Sequence, residues 1–257
     1  MDSGVRGGRM RGISLWALLP PLYSLCVTIG LWVVYFVAVN TGQVVPLTSQ
    51  YRRNGSARPP YISIAGNSPP ASCIFSEVMN LAAFGGFVIA LLRYLQLKNR
   101  IDKAWQNVTS LVVFSIGSFG MTLIGNFQLF IEEDIHNFGT FLTFGLGTVF
   151  CWGQSYLTFK VNLRNEGFKT SMLRFLLSGC ITFCLVLYFS LMFQRLHMHA
   201  ARSQWALVMF FLIFISSFCI ELRYNHFEIV CTETNCRHEQ KDSDTDLNMT
   251  HVQNIVD

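Results

Sequence analysis

Six stretches of this chain are apolar for long enough to cross a bilayer, and that limits its fold more than any other feature. A spanning α-helix needs about 20 mainly apolar residues. The stretches are Ile13 to Val39, Ala71 to Leu92, Val108 to Phe130, Phe138 to Phe159, Met172 to Gln194 and Trp205 to Ile220. Charged residues make up 13% of the chain, against roughly 25% in an ordinary soluble domain. They cluster between the apolar runs. The expected fold is therefore all-α: a polytopic membrane protein with a single bundle of six transmembrane helices.

The first run follows Arg6, Arg9 and Arg11 and could be mistaken for a signal peptide. It far outlasts an h-region of roughly 7–15 residues, which favours a retained anchor. Pro20 and Pro21 fall inside it and predict a kink, because proline removes a backbone donor and clashes with the preceding turn.

Orientation follows from Lys and Arg near the helix ends. The N-terminus, the second and fourth connections and the C-terminal flank hold fourteen of them; the first, third and fifth connections hold five. Both termini are expected in the cytoplasm. The chain then divides into a cytoplasmic N-terminus over 1–12, a transmembrane domain over 13–224 with an extracellular loop at 40–70, and a cytoplasmic tail over 225–257. The tail carries seven acids and two bases and too little apolar surface to order itself, so it reads as mostly disordered. The outer loop carries Asn54-Gly55-Ser56, an N-glycosylation triplet on the lumenal side of this topology. The triplets at Asn107 and Asn248 fall on the cytoplasmic side and are expected to stay unmodified.

Chemistry is sparse. No metalloprotease, nucleophile-elbow, Walker or dinucleotide motif is present, and the chain does not read as an enzyme. No cofactor or metal is implied, and no basic groove suits nucleic acid. Five of the eight cysteines lie in apolar runs and read as small free hydrophobes. Cys231 and Cys236, just past the last run, are candidates for palmitoylation. His197 and His199 sit in a short outer loop as candidate interfacial or pH-sensing groups. The polar residues inside the runs are Glu77, Asn80, Asn126, Gln128, Gln154 and Glu221, candidates for an intramembrane polar path. Glu77 either lines an aqueous vestibule for cations or bonds within the bundle. Small residues recur every fourth position at Ala82, Gly86 and Ala90, at Gly139, Thr143, Gly147 and Cys151, and more weakly at Gly117, Met121 and Gly125. Such ridges let helices approach closely where lipid supplies no hydrophobic drive.

Several stretches carry a family resemblance. They are Pro60 to Phe75 running into Val78-Met79-Asn80, Gly125-Asn-Phe-Gln128 with Glu132 to Asn137, Lys160 to Gly167, and His197 to Trp205. Over Leu15 to about Val230 the chain resembles the family of the DRAM autophagy modulators and the transmembrane-protein-150 group, and the last two stretches look like its C branch, tentonin. The resemblance implies six spans with cytoplasmic ends. Its tentonin branch implies mechanically activated cation currents, with calcium among the ions carried; other branches imply roles in autophagy at lysosomes or in phosphoinositide supply. The expected function is a component or modulator of a mechanosensitive cation channel at the plasma membrane, partnered by the bilayer and by another channel or a second copy. The alternative is a non-channel adaptor or regulator of autophagy or phosphoinositide-kinase assembly, present also at lysosomes.

Overall fold

The computed structural model describes residues 14–50, 57–163, 167–225 and 227. Every regular element among them is helical, and the single β-bridge joins Val44 to Arg58. A 3-10 turn at Leu15–Leu18 leads into α1 (Leu19–Asn40). There follow α2 (Ile62–Ala65), α3 (Ala71–Leu97), α4 (Ala104–Asn126) and α5 (Glu133–Phe141). A π-helical turn at Leu142–Leu146 joins α5 to α6 (Gly147–Val161), and α7 (Gly167–Phe193), α8 (His197–Ser216) and α9 (Cys219–Leu222) complete the order. Five helical spans are long and apolar enough to cross a membrane: Leu15–Asn40, Ala71–Leu97, Ala104–Asn126, Gly167–Phe193 and His197–Leu222. The protein is a polytopic all-α membrane protein. The fourth run of the sequence is a helical rod from Glu133 to Val161 broken by the π turn, and neither regular half is long enough alone.

The rods form a closed ring. α1 packs on α3, α3 on α4, α4 on the α5–α6 rod, α6 on α7, α7 on α8, and α8 back on α1. The outward faces carry large apolar side chains such as Phe84, Phe119 and Phe183, all more than half exposed. Such faces suit acyl chains and would be unsustainable in water.

The boundaries differ from the sequence expectation in physically simple ways. Pro20 and Pro21 occupy the second and third positions of α1, in its first turn rather than its interior. There a missing N–H costs nothing, since the first-turn donors have no helical acceptor anyway. α8 begins at His197, so His197 and His199 stand on its first turn and not in a loop. The reversal is confined to the few residues before them, with Arg195 at φ 61.

The small-residue ridges are contact seams. Ala82, Gly86 and Ala90 are all buried. A Cβ at Gly86 would meet Phe114 at 3.2 Å. The tightest crossing joins α4 to α5: a Cβ at Gly120 would lie 2.7 Å from the Gly139 carbonyl oxygen, and one at Gly139 2.9 Å from that of Gly120. Gly120 lies outside the ridge read at Gly117, Met121 and Gly125, one turn along the same helix. Of the apolar-run cysteines, Cys151 and Cys184 are buried as expected, whereas Cys26 is exposed.

Candidate functional site: a buried Arg–Glu–Arg network

At one end of the ring, two guanidiniums and a carboxylate have left water. Arg93 on α3 and Arg174 on α7 are 0% exposed, and Glu221 on α9 is 7% exposed. One oxygen, Glu221 Oε2, stands 3.0 Å from Arg93 Nη1 and 2.6 Å from Arg174 Nη1. Both contacts are ion pairs. The guanidiniums also donate to neutral oxygens. Arg93 donates to Gln96 Oε1 at 2.6 Å, Thr158 Oγ1 at 3.0 Å and Gln154 Oε1 at 3.1 Å. Arg174 donates to Thr158 Oγ1, to Ser217 Oγ at 3.0 Å and to the Ser217 carbonyl at 3.2 Å.

Helical spacing makes this possible. Gln96 stands three residues after Arg93 and Thr158 four after Gln154, so each pair shares a helix face, while Ser217 and Glu221 are brought together by the turn from α8 into α9. Gln96 in turn donates to the Glu221 carbonyl and to Asn225 Oδ1, and Gln154 to Ser110 Oγ. The Phe218 ring lies under both guanidiniums, 4.5 Å from Arg174 Cζ and 5.4 Å from Arg93 Cζ. The network ties α3, α4, α6, α7 and the α8–α9 end together. It holds two cations and one anion, so it keeps one unneutralised positive charge in a dry setting. Such a cluster specifies a packing more than it strengthens one.

At the other end the described residues between α1 and α3 fold over the ring as a cap. Ile62 N–H donates to Gln204 Oε1 at 2.9 Å, and Trp205 Nε1 to the Pro60 carbonyl at 3.0 Å. Arg202 donates to the Leu47 and Ser49 carbonyls, and Phe130 N–H to Asn67 Oδ1. Tyr61 Oη lies 3.1 Å from His197 Nδ1. Burial first, and then the neighbouring Tyr188, raise the Tyr61 phenol above its ordinary value. The phenol therefore keeps its proton. Also at this end, Asn126 Oδ1 accepts from Ser76 Oγ at 2.8 Å and Asn80 Nδ2 at 3.0 Å.

Between cap and network lies an apolar cavity of about 80 Å³, walled by side chains of α1, α3, α4, the π turn and α8. Below it Phe114, Phe150 and Phe218 form an aromatic floor, with Phe114 and Phe150 centroids 4.4 Å apart.

The candidate polar path thus resolves into separate groups. Gln154 and Glu221 meet through Arg93, and Asn80 and Asn126 bond to each other. Glu77 is exposed on the outward side of α3, and Gln128 is half-buried beyond the end of α4. Asn54, Cys231 and Cys236 lie outside the described residues. Sequence reasoning missed Arg93 and Arg174, which it counted as solvated flanking charges. The available signal was their setting: Arg93 follows Ile89-Ala-Leu-Leu and Arg174 precedes Phe-Leu-Leu, inside apolar windows where a charge needs a partner.

Comparison with known proteins accords with this architecture. Residues 15–224 match the family described as Frag1/DRAM/Sfk1/Cwh43P N-terminal domain. The chain is 31% identical over 206 residues to modulator of macroautophagy TMEM150B-A of Xenopus laevis, covering 80% of this chain and 86% of that one. It is 30% identical over 238 residues to modulator of macroautophagy TMEM150B of Xenopus tropicalis, covering 91% and 99%. It is 30% identical over 229 residues to human transmembrane protein 150A, covering 81% and 84%. No solved structure matches the chain. Every element of the ring and both halves of the buried network fall within the matched span, and the chain belongs to the Frag1/DRAM/Sfk1 family.

Proposed function

We propose that the protein is a non-catalytic membrane regulator of macroautophagy, acting as a scaffold rather than a conduit. The carrying observation is the axis of the ring. It is capped by Ile62–Ala65 at one end, apolar in the middle, and closed by aromatic rings and the Arg–Glu–Arg network at the other. A conducting pore needs a continuous wet path, and the polar clusters here are separated by an apolar cavity. The relatives named as modulators of macroautophagy point the same way.

In this reading the rod Glu133–Val161 is the sixth crossing. At about 1.5 Å per residue it exceeds the roughly 30 Å of a bilayer core. Six crossings put both termini on one side, which the Lys and Arg asymmetry makes the cytoplasm. The cap then faces outward or lumenally, Asn54 with it, and residues 225–257 are offered to cytoplasmic partners at the plasma membrane or a lysosomal membrane.

Autophagic flux tests this. Cells depleted of the protein and re-expressing it should recover the flux of the undepleted cells, measured as turnover of a lipidated autophagosome marker with lysosomal degradation blocked and unblocked. A form truncated after Asn225 should reach the same membrane and fail to restore flux. Equal rescue by the truncated form would contradict a scaffold acting through its tail, and unchanged flux on depletion would contradict the autophagy role.

A further inference from the structure

The central cavity is sealed along the axis but not around its whole wall. α6 packs closely along α7, whereas α5 and the π turn meet it only sparsely. Two contacts bracket the resulting gap. On the cap side Phe144 meets Tyr188, ring centroids 6.3 Å apart; on the network side Trp152 Nε1 donates to Thr182 Oγ1 at 2.9 Å. Thr143, Phe144 and Thr148 line the cavity at this gap and stay partly exposed, with Ile181 of α7 on its far side. The π turn lies at this gap, and such turns inside α-helices frequently mark functional sites.

The lining has little to offer a polar guest. Tyr23 donates to the Ala82 carbonyl, Thr143 to that of Gly117 and Thr148 to that of Phe144, and Gln204 Oε1 is filled by Ile62 N–H. An apolar cavity of this kind stays free of water. What lies against its mouth is the hydrocarbon of the surrounding membrane, since the flanking Phe141, Phe183 and Val186 are among the most exposed apolar side chains of the ring. Size selects among apolar guests. An engineered cavity of roughly 150 Å³ takes one benzene ring. A space of about 80 Å³ admits a single-file run of methylenes and refuses a fused-ring sterol.

We propose that this cavity is a lipid site: it receives the last few carbons of one acyl chain of a phospholipid from the leaflet on the cap side, entering between the π turn and α7. The site does not depend on the autophagy reading. Its occupant braces the π turn against α7, where the protein's own packing is sparse.

The test is photolabelling of the full-length chain, reconstituted in phosphatidylcholine vesicles that carry a phosphatidylcholine with a diazirine near the end of one chain. Adducts are expected on cavity-facing Met79, Met121 and Phe211, in addition to outward residues such as Phe119 and Phe183. Gly147→Leu fills the space, because a Cβ there meets Phe211 at an ordinary 3.5 Å. It should abolish the inner adducts and keep the outer ones. Thr148→Leu fills it from the neighbouring position and serves if Gly147→Leu elutes as aggregate. Adducts confined to outward residues, or inner adducts unchanged in the filled, monodisperse variant, would overturn the proposal. So would inner labelling by a diazirine fatty acid without any by the phospholipid.

Discussion

A guanidinium that gives up its water must find oxygen, and Arg93 and Arg174 find it on α3, α6 and the α8–α9 end. The asymmetry of the cluster makes a sharp prediction. Glu221→Gln removes the one anion facing two buried cations, and breaking such a group from one side costs about 3–5 kcal/mol. Replacing the whole trio by apolar residues, Arg93→Met with Arg174→Leu and Glu221→Leu, leaves no orphaned charge and should be markedly less destabilising than Glu221→Gln alone. Thermal unfolding in detergent, followed by the protein's own fluorescence, ranks the two. If the triple variant is the weaker, the cluster contributes net stability and is more than a specificity device. Asn107 makes a second case at this scale. Its side chain is buried and donates to the Tyr94 carbonyl at 2.9 Å, so its triplet should carry no glycan whichever side it faces. A glycosidase digest should shift the wild-type protein on a gel and leave Asn54→Gln unmoved.

At the scale of elements, the α4–α5 crossing is set by two backbones in contact. Gly120→Val places a side chain against the Gly139 carbonyl, which cannot yield as a flexible side chain would. The expected cost is about 1–3 kcal/mol. Gly153→Ala on α6 meets nothing within 4 Å and should be neutral or slightly favourable. Melting temperatures of the two variants check the contrast. This is also where the limits of the sequence lie. Five spans follow from apolar length alone, because hydrocarbon leaves the backbone no other solvent-free solution. The ridge at Ala82, Gly86 and Ala90 was legible because period four is a helical face. The π turn was not, since nothing in the residues Leu142 to Leu146 sets them apart from an ordinary apolar helix. Arg93 and Arg174 misled for a related reason. A Lys or Arg near the end of an apolar run reads as a flank until the partner that draws it inside, Glu221, is known to stand on the neighbouring rod.

For the whole molecule, the ring is closed at both ends by different means. The cap is a hydrogen-bonded lid on exposed ground, and Arg202 holds it through two carbonyls that water can replace. Arg202→Ala should therefore cost only about 1 kcal/mol in stability yet speed proteolytic cleavage between α1 and α2, a difference that limited proteolysis reads directly. The network end is dry and cooperative, and its failure should loosen the whole bundle. A regulator needs such a rigid body to present its loops and tail; a channel needs one of the two closures to open. The most direct measurement is electrical: patches from liposomes containing only the purified full-length protein, stretched to near the lytic tension. The scaffold reading predicts no current above that of protein-free liposomes. Discrete unitary currents that rise with tension would contradict it and show that the ring opens a conducting path.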